Sequence, residues 1–192
     1  MKFILAFLLL LPVFARAQNT GSTTPEVQIQ NIFTLAQKEN PLKNLKTKAL
    51  LDSQFDFHQM SLTILGEEVK KRNAADLKWF EDSIKEIITK TVYPKAPDFL
   101  QGVKITYKTT LIDGDKATVP SVVSKKGEKT DVSYTLTKTS DSWKVVDVSI
   151  DGDSWVKTIN DKMSKTLKEK GWPGVKDMLN KRVAALKAGK KN

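Results

Sequence analysis

The sequence predicts an α+β domain in which a twisted antiparallel β-meander is clasped by helices that precede and follow it. Three observations predict it. Apolar residues recur at helical spacing from Val27 to Tyr93, alternate between Val103 and Ile150, and return to helical spacing from Trp155 to Leu186. Turn residues mark both changes of period, Pro94 to Gly102 before the meander and Asp151-Gly152-Asp153 after it. The chain has no cysteine, so a hydrophobic core and not disulfides must hold it together. Helices grouped on either side of a run of strands pack on one face of a sheet.

The N-terminus predicts export. Lys2 is a short positive region, residues 3–14 are apolar apart from Pro12, and Ala15-Arg16-Ala17 offers small residues for cleavage before Gln18. The run is shorter than the roughly 20 residues of a membrane span. No cysteine follows that would accept a lipid anchor. The division is therefore a signal peptide over 1–17, a flexible linker over 18–24, one domain over 25–187 and a basic tail over 188–192. The mature chain is read as a soluble periplasmic monomer.

Within the domain, Thr24 and Pro25 predict a capped first helix whose apolar side carries Val27, Ile29, Ile32, Phe33 and Leu35. Asn40-Pro41 ends it and begins a segment through Leu42, Leu45, Leu50 and Leu51. Residues 55–66 carry the densest apolar pattern. Phe57, Met60, Ile64 and Leu65 share a helix face, and Gly66 stops it. Asn73 caps the longest amphipathic helix, striped by Leu77, Phe80, Ile84, Ile87 and Ile88 and closed by Pro94. Four strands follow, near residues 103–111, 116–124, 130–137 and 143–150. Their turns fall at Asp113-Gly114, Lys126-Gly127 and Ser140-Asp141, and Pro120 is placed at an edge or bulge. Asp153 is read as the cap of the next helix. Gly171-Trp172-Pro173-Gly174 breaks the C-terminal helices.

Charge and motifs exclude several functions. The 32 Lys and Arg against 22 Asp and Glu give +10; losing Lys2 and Arg16 with the signal leaves 30 against 22, or +8. The lysines are scattered, without the basic aromatic stripe of a nucleic-acid binder, so an anionic membrane surface or an acidic protein fits better. His58 is the only histidine and has no metal-ligand partners at useful spacing. Asp151-Gly152-Asp153 lacks the later ligands of a calcium loop. Asp147 interrupts an apolar strand and either faces water or turns inward to bond backbone. No nucleophile motif, phosphate loop or carboxylate pair is present, so no catalytic residue, metal or cofactor is assigned.

The order of several segments carries a resemblance. They are Phe55-Asp56-Phe57 with Met60 and Leu65-Gly66, the Trp79-Phe80 helix running to Tyr93, and hairpins containing Val119, Val122 and Tyr134. Trp143 with residues 144–148 and a final helix pair around Gly171 and Gly174 complete the order. It resembles the periplasmic phospholipid-binding proteins of the toluene-tolerance or MlaC family. The family pattern carries an arginine after the last strand, where this chain has Thr158-Ile159-Asn160-Asp161.

The resemblance implies a nuclear-transport-factor-like cone holding lipid tails between sheet and helices. It implies a carrier, not an enzyme, that maintains outer-membrane lipid asymmetry. Phospholipid is the bound ligand. The implied partners are an inner-membrane MCE-protein/ABC transporter complex and an outer-membrane lipoprotein–porin complex. Inward positions then predict a cavity lined by Phe57, Met60, Ile64, Phe80, Ile84, Tyr107, Val132, Tyr134 and Val145. Lys104 and Lys108 lie on the wet sheet face as candidates to attract anionic surfaces. A bulky residue at Gly174 is expected to slow lipid transfer without loss of stability. The competing readings are a periplasmic adaptor that binds no lipid, and an enzyme on the same cone with a His–Asp pair in a pocket.

Overall fold

The computed structural model describes residues 23–140 and 142–189. The signal peptide, its cleavage site, residues 18–22 of the linker, Asp141 and residues 190–192 of the tail lie outside them.

Local side-chain caps start each long helix. Thr24 Oγ1 accepts the Val27 N–H (3.3 Å) at the start of α1, Pro25–Lys38. A one-turn 3₁₀ helix, Pro41–Lys43, leads to Asn44, whose side-chain oxygen accepts the Lys46 and Thr47 N–H groups of α2, Leu45–Asp52. Asp56 caps α3, Phe57–Leu65, through Gln59 N–H (2.8 Å). Helix α3 ends at Gly66, where a 3₁₀ stretch, Gly66–Lys71, begins. Asn73 caps α4, Ala74–Val92. Pro94 closes α4 as predicted, and Tyr93–Lys95 then leads into α5, Ala96–Leu100, which the sequence left as a connection.

The predicted meander is present as one six-stranded antiparallel sheet. The first predicted strand is split into β1, Lys104–Tyr107, and β2, Leu111–Asp113. Both pair with β3, Lys116–Lys125. Pro120 causes the split. Its carbonyl accepts the Lys108 N–H (2.8 Å), so its ring nitrogen, which has no proton, also faces the neighbouring strand. The ladder fails there, and Lys108–Thr110 loops past the gap. Pro120 thus sits inside a central strand, tolerated because its partner is interrupted. Strand β4, Glu128–Thr139, pairs with β3 and with β5, Ser142–Ile150. A bulge on β5 places Val145 opposite Leu136 while Asp147 faces Thr135. A two-residue strand β6, Asp153–Ser154, folds back on β5.

Helix α6, Trp155–Lys187, begins at a cap made by Ser154, not by the predicted Asp153. Asp147 assists: its carboxylate accepts the Val148 and Val156 N–H groups (2.8 and 3.1 Å), which puts negative charge at the start of α6. The inward, backbone-bonded alternative for Asp147 holds. Gly171 (φ +63°, ψ −168°) breaks α6 into two arms, 155–170 and 172–187, so α4 remains the longest unbroken helix. That backbone conformation is open essentially to glycine alone. Gly174 is needed for closeness, since a Cβ there would stand 2.3 Å from Lys170 Cβ. A bulky residue at Gly174 must therefore shift backbone, which corrects the expectation that it would leave stability untouched.

Helices α1, α3 and α6 lie on one face of the sheet, and α4 packs across α3 and α6. The main core lies between these layers. A smaller cluster of Ala36, Leu51, Tyr93, Ala96 and Leu100 sits where α1, α2 and α5 meet.

Candidate functional site

The nine predicted wall residues converge. Phe57, Met60 and Ile64 of α3, Phe80 and Ile84 of α4, Tyr134 of β4 and Val145 of β5 are buried members of the main core. Tyr107 and Val132 are half-buried against it. Helix α3 is fixed at both ends. Asp56 N–H donates to Val145 O and Val145 N–H to Gln54 O (3.0 Å each), which ties its entry to β5. At its exit, Asn160 Nδ2 donates to Ile64 O (2.6 Å). Asn160 thus holds a last-turn carbonyl of α3 to α6.

Side chains fill the space between the layers. Ile64 and Phe80 are 0 % exposed, so neither has surface that a water molecule could reach from inside or out. Two surface clefts, of about 420 and 430 Å³, lie elsewhere. The first separates Gly66–Glu68 from α6 at Asn160, Ser164 and Lys168; the second runs between Gln37 and α5. None of the nine residues lines either cleft. The shared apolar face is covered by its own side chains.

One seam of this closed core is less well covered. Ile32 and Phe33 of α1 and Tyr107 and Val132 of the sheet pack against the core on this side, and all four are half-buried. The Phe33 ring meets Tyr134 edge-on, 5.9 Å between centroids. Burial pushes the Tyr107 hydroxyl up to about 12, with the Glu26 carboxylate at the start of α1 adding to the shift. Burial likewise raises Tyr134, against the opposing effect of Ser121. Ser121, fully buried on β3, donates to Val132 O (3.0 Å), and buried Gln28 of α1 donates to Gln54 in the connection between α2 and α3. The wall here is apolar with neutral hydroxyls and amides, and Glu26 is the acid beside it. Ile29 and Phe33 were visible on the apolar side of the first helix, but periodicity does not say which distant strand such a face meets.

The remaining candidates have surface or structural roles. His58 Nδ1 lies 2.9 Å from Glu81 Oε2 in an exposed pair between α3 and α4. Lys108 is engaged with Asp131 (2.7 Å), while Lys104 makes no ion pair among the described residues. No group of three or more His, Cys, Asp or Glu among the described residues is arranged to hold a metal ion.

The sequence of residues 28–181 matches the family described as MlaC protein. The chain belongs to the MlaC family. The match spans α1 to the second arm of α6 and so contains every residue of the apolar cluster. None of the curated proteins matches the sequence. Among solved structures, the fold is similar to that of a phospholipid-binding protein from Ralstonia solanacearum, solved in complex with a phospholipid. Identity is 20 %, coverage 84 % of this chain and 95 % of that one, and the TM-score 0.69. The shared fold is the helix-clasped antiparallel sheet predicted from the periodicities.

Proposed function

We propose that this MlaC-family protein is a soluble periplasmic carrier of phospholipid. It takes the acyl tails between sheet and helices and moves them between an outer-membrane lipoprotein–porin complex and an inner-membrane MCE-protein/ABC transporter complex. The carrying observation is a family member whose core is one continuous apolar face between α1, α3, α4, α6 and the sheet. The Ralstonia neighbour, which shares the fold, was solved with a phospholipid bound. Burial of tails needs apolar walls and few polar groups, which matches a core without catalytic residues.

Energetics set the mechanism. A phospholipid exposes about 30 methylenes, and at ~0.8 kcal/mol each their transfer to water costs on the order of 20 kcal/mol. Unloading therefore takes place into another hydrophobic channel offered by a docked partner. The closed core means that loading must separate layers. The α1 seam is where least has to be broken, because its residues are already half out of the core. Tails enter there, and the head group, which keeps its water, stays at the rim.

Organic extraction of purified mature protein followed by mass spectrometry tests this reading. Close to one phospholipid per chain is expected, and Val132→Asp at the seam should lower it several-fold with a near-normal melting curve. Ile84→Glu should cost the fold itself, since a buried unpaired charge costs several kcal/mol. Stable wild-type protein that carries no phospholipid after envelope expression would favour the adaptor reading instead.

A further inference from the structure

The second helix wears its pattern inside out. Leu51 is buried, while Leu45 (83 % exposed), Ala49 and Leu50 (45 %) face water together with Lys46. Fraying does not explain this. Asn44 caps the helix with two hydrogen bonds. Its far end is held by Asp52, which accepts from Lys48 (2.6 Å), Lys85 (3.0 Å) and Tyr93 (3.0 Å). The orientation is fixed, and it points two leucines outward.

The charge around them is mainly positive, with Glu39 the one exposed acid there not paired to a cation among the described residues. Lys38, Lys43 and Lys46 are exposed and make no ion pair among the described residues. The neighbouring acids are already engaged: Glu39 accepts from Asn44 and Thr47 (2.7 and 3.0 Å), and Asp52 is held as above. A protruding apolar ridge rimmed by lysines suits a helix lying in the plane of an anionic lipid surface. A protein partner is disfavoured by size. A stable interface covers about 800 Å² a side. The other exposed large apolar side chains among the described residues, Val27, Phe99, Leu111, Ile112 and Ile150, belong to other elements.

We infer that the outward face of α2 docks the carrier on anionic membrane surfaces through Leu45, Leu50, Lys43 and Lys46. Two leucines and a few lysines give weak, reversible attachment. A carrier that must leave again needs that. The inference adds a membrane contact to the carrier reading but does not depend on bound lipid.

Mature full-length protein is sedimented with vesicles of phosphatidylglycerol or of phosphatidylcholine. Binding to the anionic vesicles alone is expected, falling steeply between about 0.05 and 0.5 M salt as screening shortens. Each lysine lost in Lys43→Gln/Lys46→Gln should lower the partition about fivefold, and Leu45→Ser/Leu50→Ser should lower it as much in total. Both variants should keep wild-type melting curves, because the changed side chains are exposed. Absence of vesicle binding, or equal binding by wild type and both variants, overturns the inference. So does loss of capture by a membrane-embedded protein complex with vesicle binding unchanged, which would make the ridge a protein contact. Extracted phospholipid is measured in the same preparations. Its absence everywhere would sink the carrier reading and leave the docking result standing.

Discussion

The two hydrophobic clusters of this molecule are built to different standards. The main core gathers 17 buried residues from α1, α3, α4, α6 and three strands, β3, β4 and β5. The cluster under α1, α2 and α5 has five, two of them alanines. Helix α1 belongs to both, through Ile29 in the first and Ala36 in the second, with Ile32 and Phe33 touching each. Buried apolar area sets local stability, so the α1–α2–α5 side should open at lower cost than the α3–α4–α6 side. The lesson is mechanical. On the carrier reading proposed above, the layers part on the side held by a small cluster and a few polar ties, while the other side stays firm.

The largest test of that contrast removes one side chain from each cluster. Phe80→Ala should cost about 3–5 kcal/mol, because a fully buried ring leaves a cavity that α3 and α6 cannot close. That should lower the melting midpoint by about 10 °C in a domain of this size. Leu51→Ala should cost nearer 2 kcal/mol. Its amide exchange should rise in α1, α2 and α5 while α3, α4 and β3 to β5 keep their protection. Equal losses of protection across both regions would erase the distinction.

A middle-sized effect belongs at the joint of α6. Gly171→Ala forces a side chain into a backbone region that costs about 1–3 kcal/mol. The second arm should not detach, because other contacts hold it. Lys176 pairs with Asp76 (2.6 Å), the Trp172 and Trp79 rings meet edge-on at 5.8 Å, and the Arg72 guanidinium lies 4.3 Å from the centre of the Trp172 ring. Lower stability with exchange of 172–187 still slow would place this arm on the firm side. Rapid exchange there would make α6 the moving part and the comparison wrong.

How much of this was legible follows from the range of each signal. Caps at Thr24 and Asn73, the stripe on α3 and the alternation in β4 are local, and the structure keeps them. The split at Lys108–Thr110 was not legible, because its cause, the missing proton on Pro120, acts on a strand ten residues away. Helix α5 is too short to show a period. The nine predicted wall residues come together because inward positions on helix and sheet faces must meet. Their closure was not readable, since the same side chains line a filled core and a lipid-filled one. The seam with Ile32 and Phe33 depends on which helix covers which strand, and that is fixed only by tertiary packing.

The smallest effect concerns the bolt between the two regions. Burial alone would raise the Asp52 carboxyl, but hydrogen bonds from Lys48, Lys85 and Tyr93 outweigh it and hold the group below the usual carboxylate range. Lys85 and Tyr93 stand on or next to α4, so Asp52 fastens α2 to the firm side. A carboxyl with a lowered folded pKa contributes stability above its unfolded value of about 3.9 and loses it as pH falls through the folded value. Asp52→Asn should therefore cost about 1 kcal/mol at pH 7, a figure reduced for solvent screening of a partly exposed site. The gap between variant and wild type should hold down to about pH 4 and close below it, as the wild-type carboxyl takes up its proton. Exchange should quicken in α2 while α4 and the sheet are unchanged, because only the tie is cut. A deficit that persists undiminished at pH 2, or faster exchange throughout the main core, would show that Asp52 supports the whole fold and not its movable side.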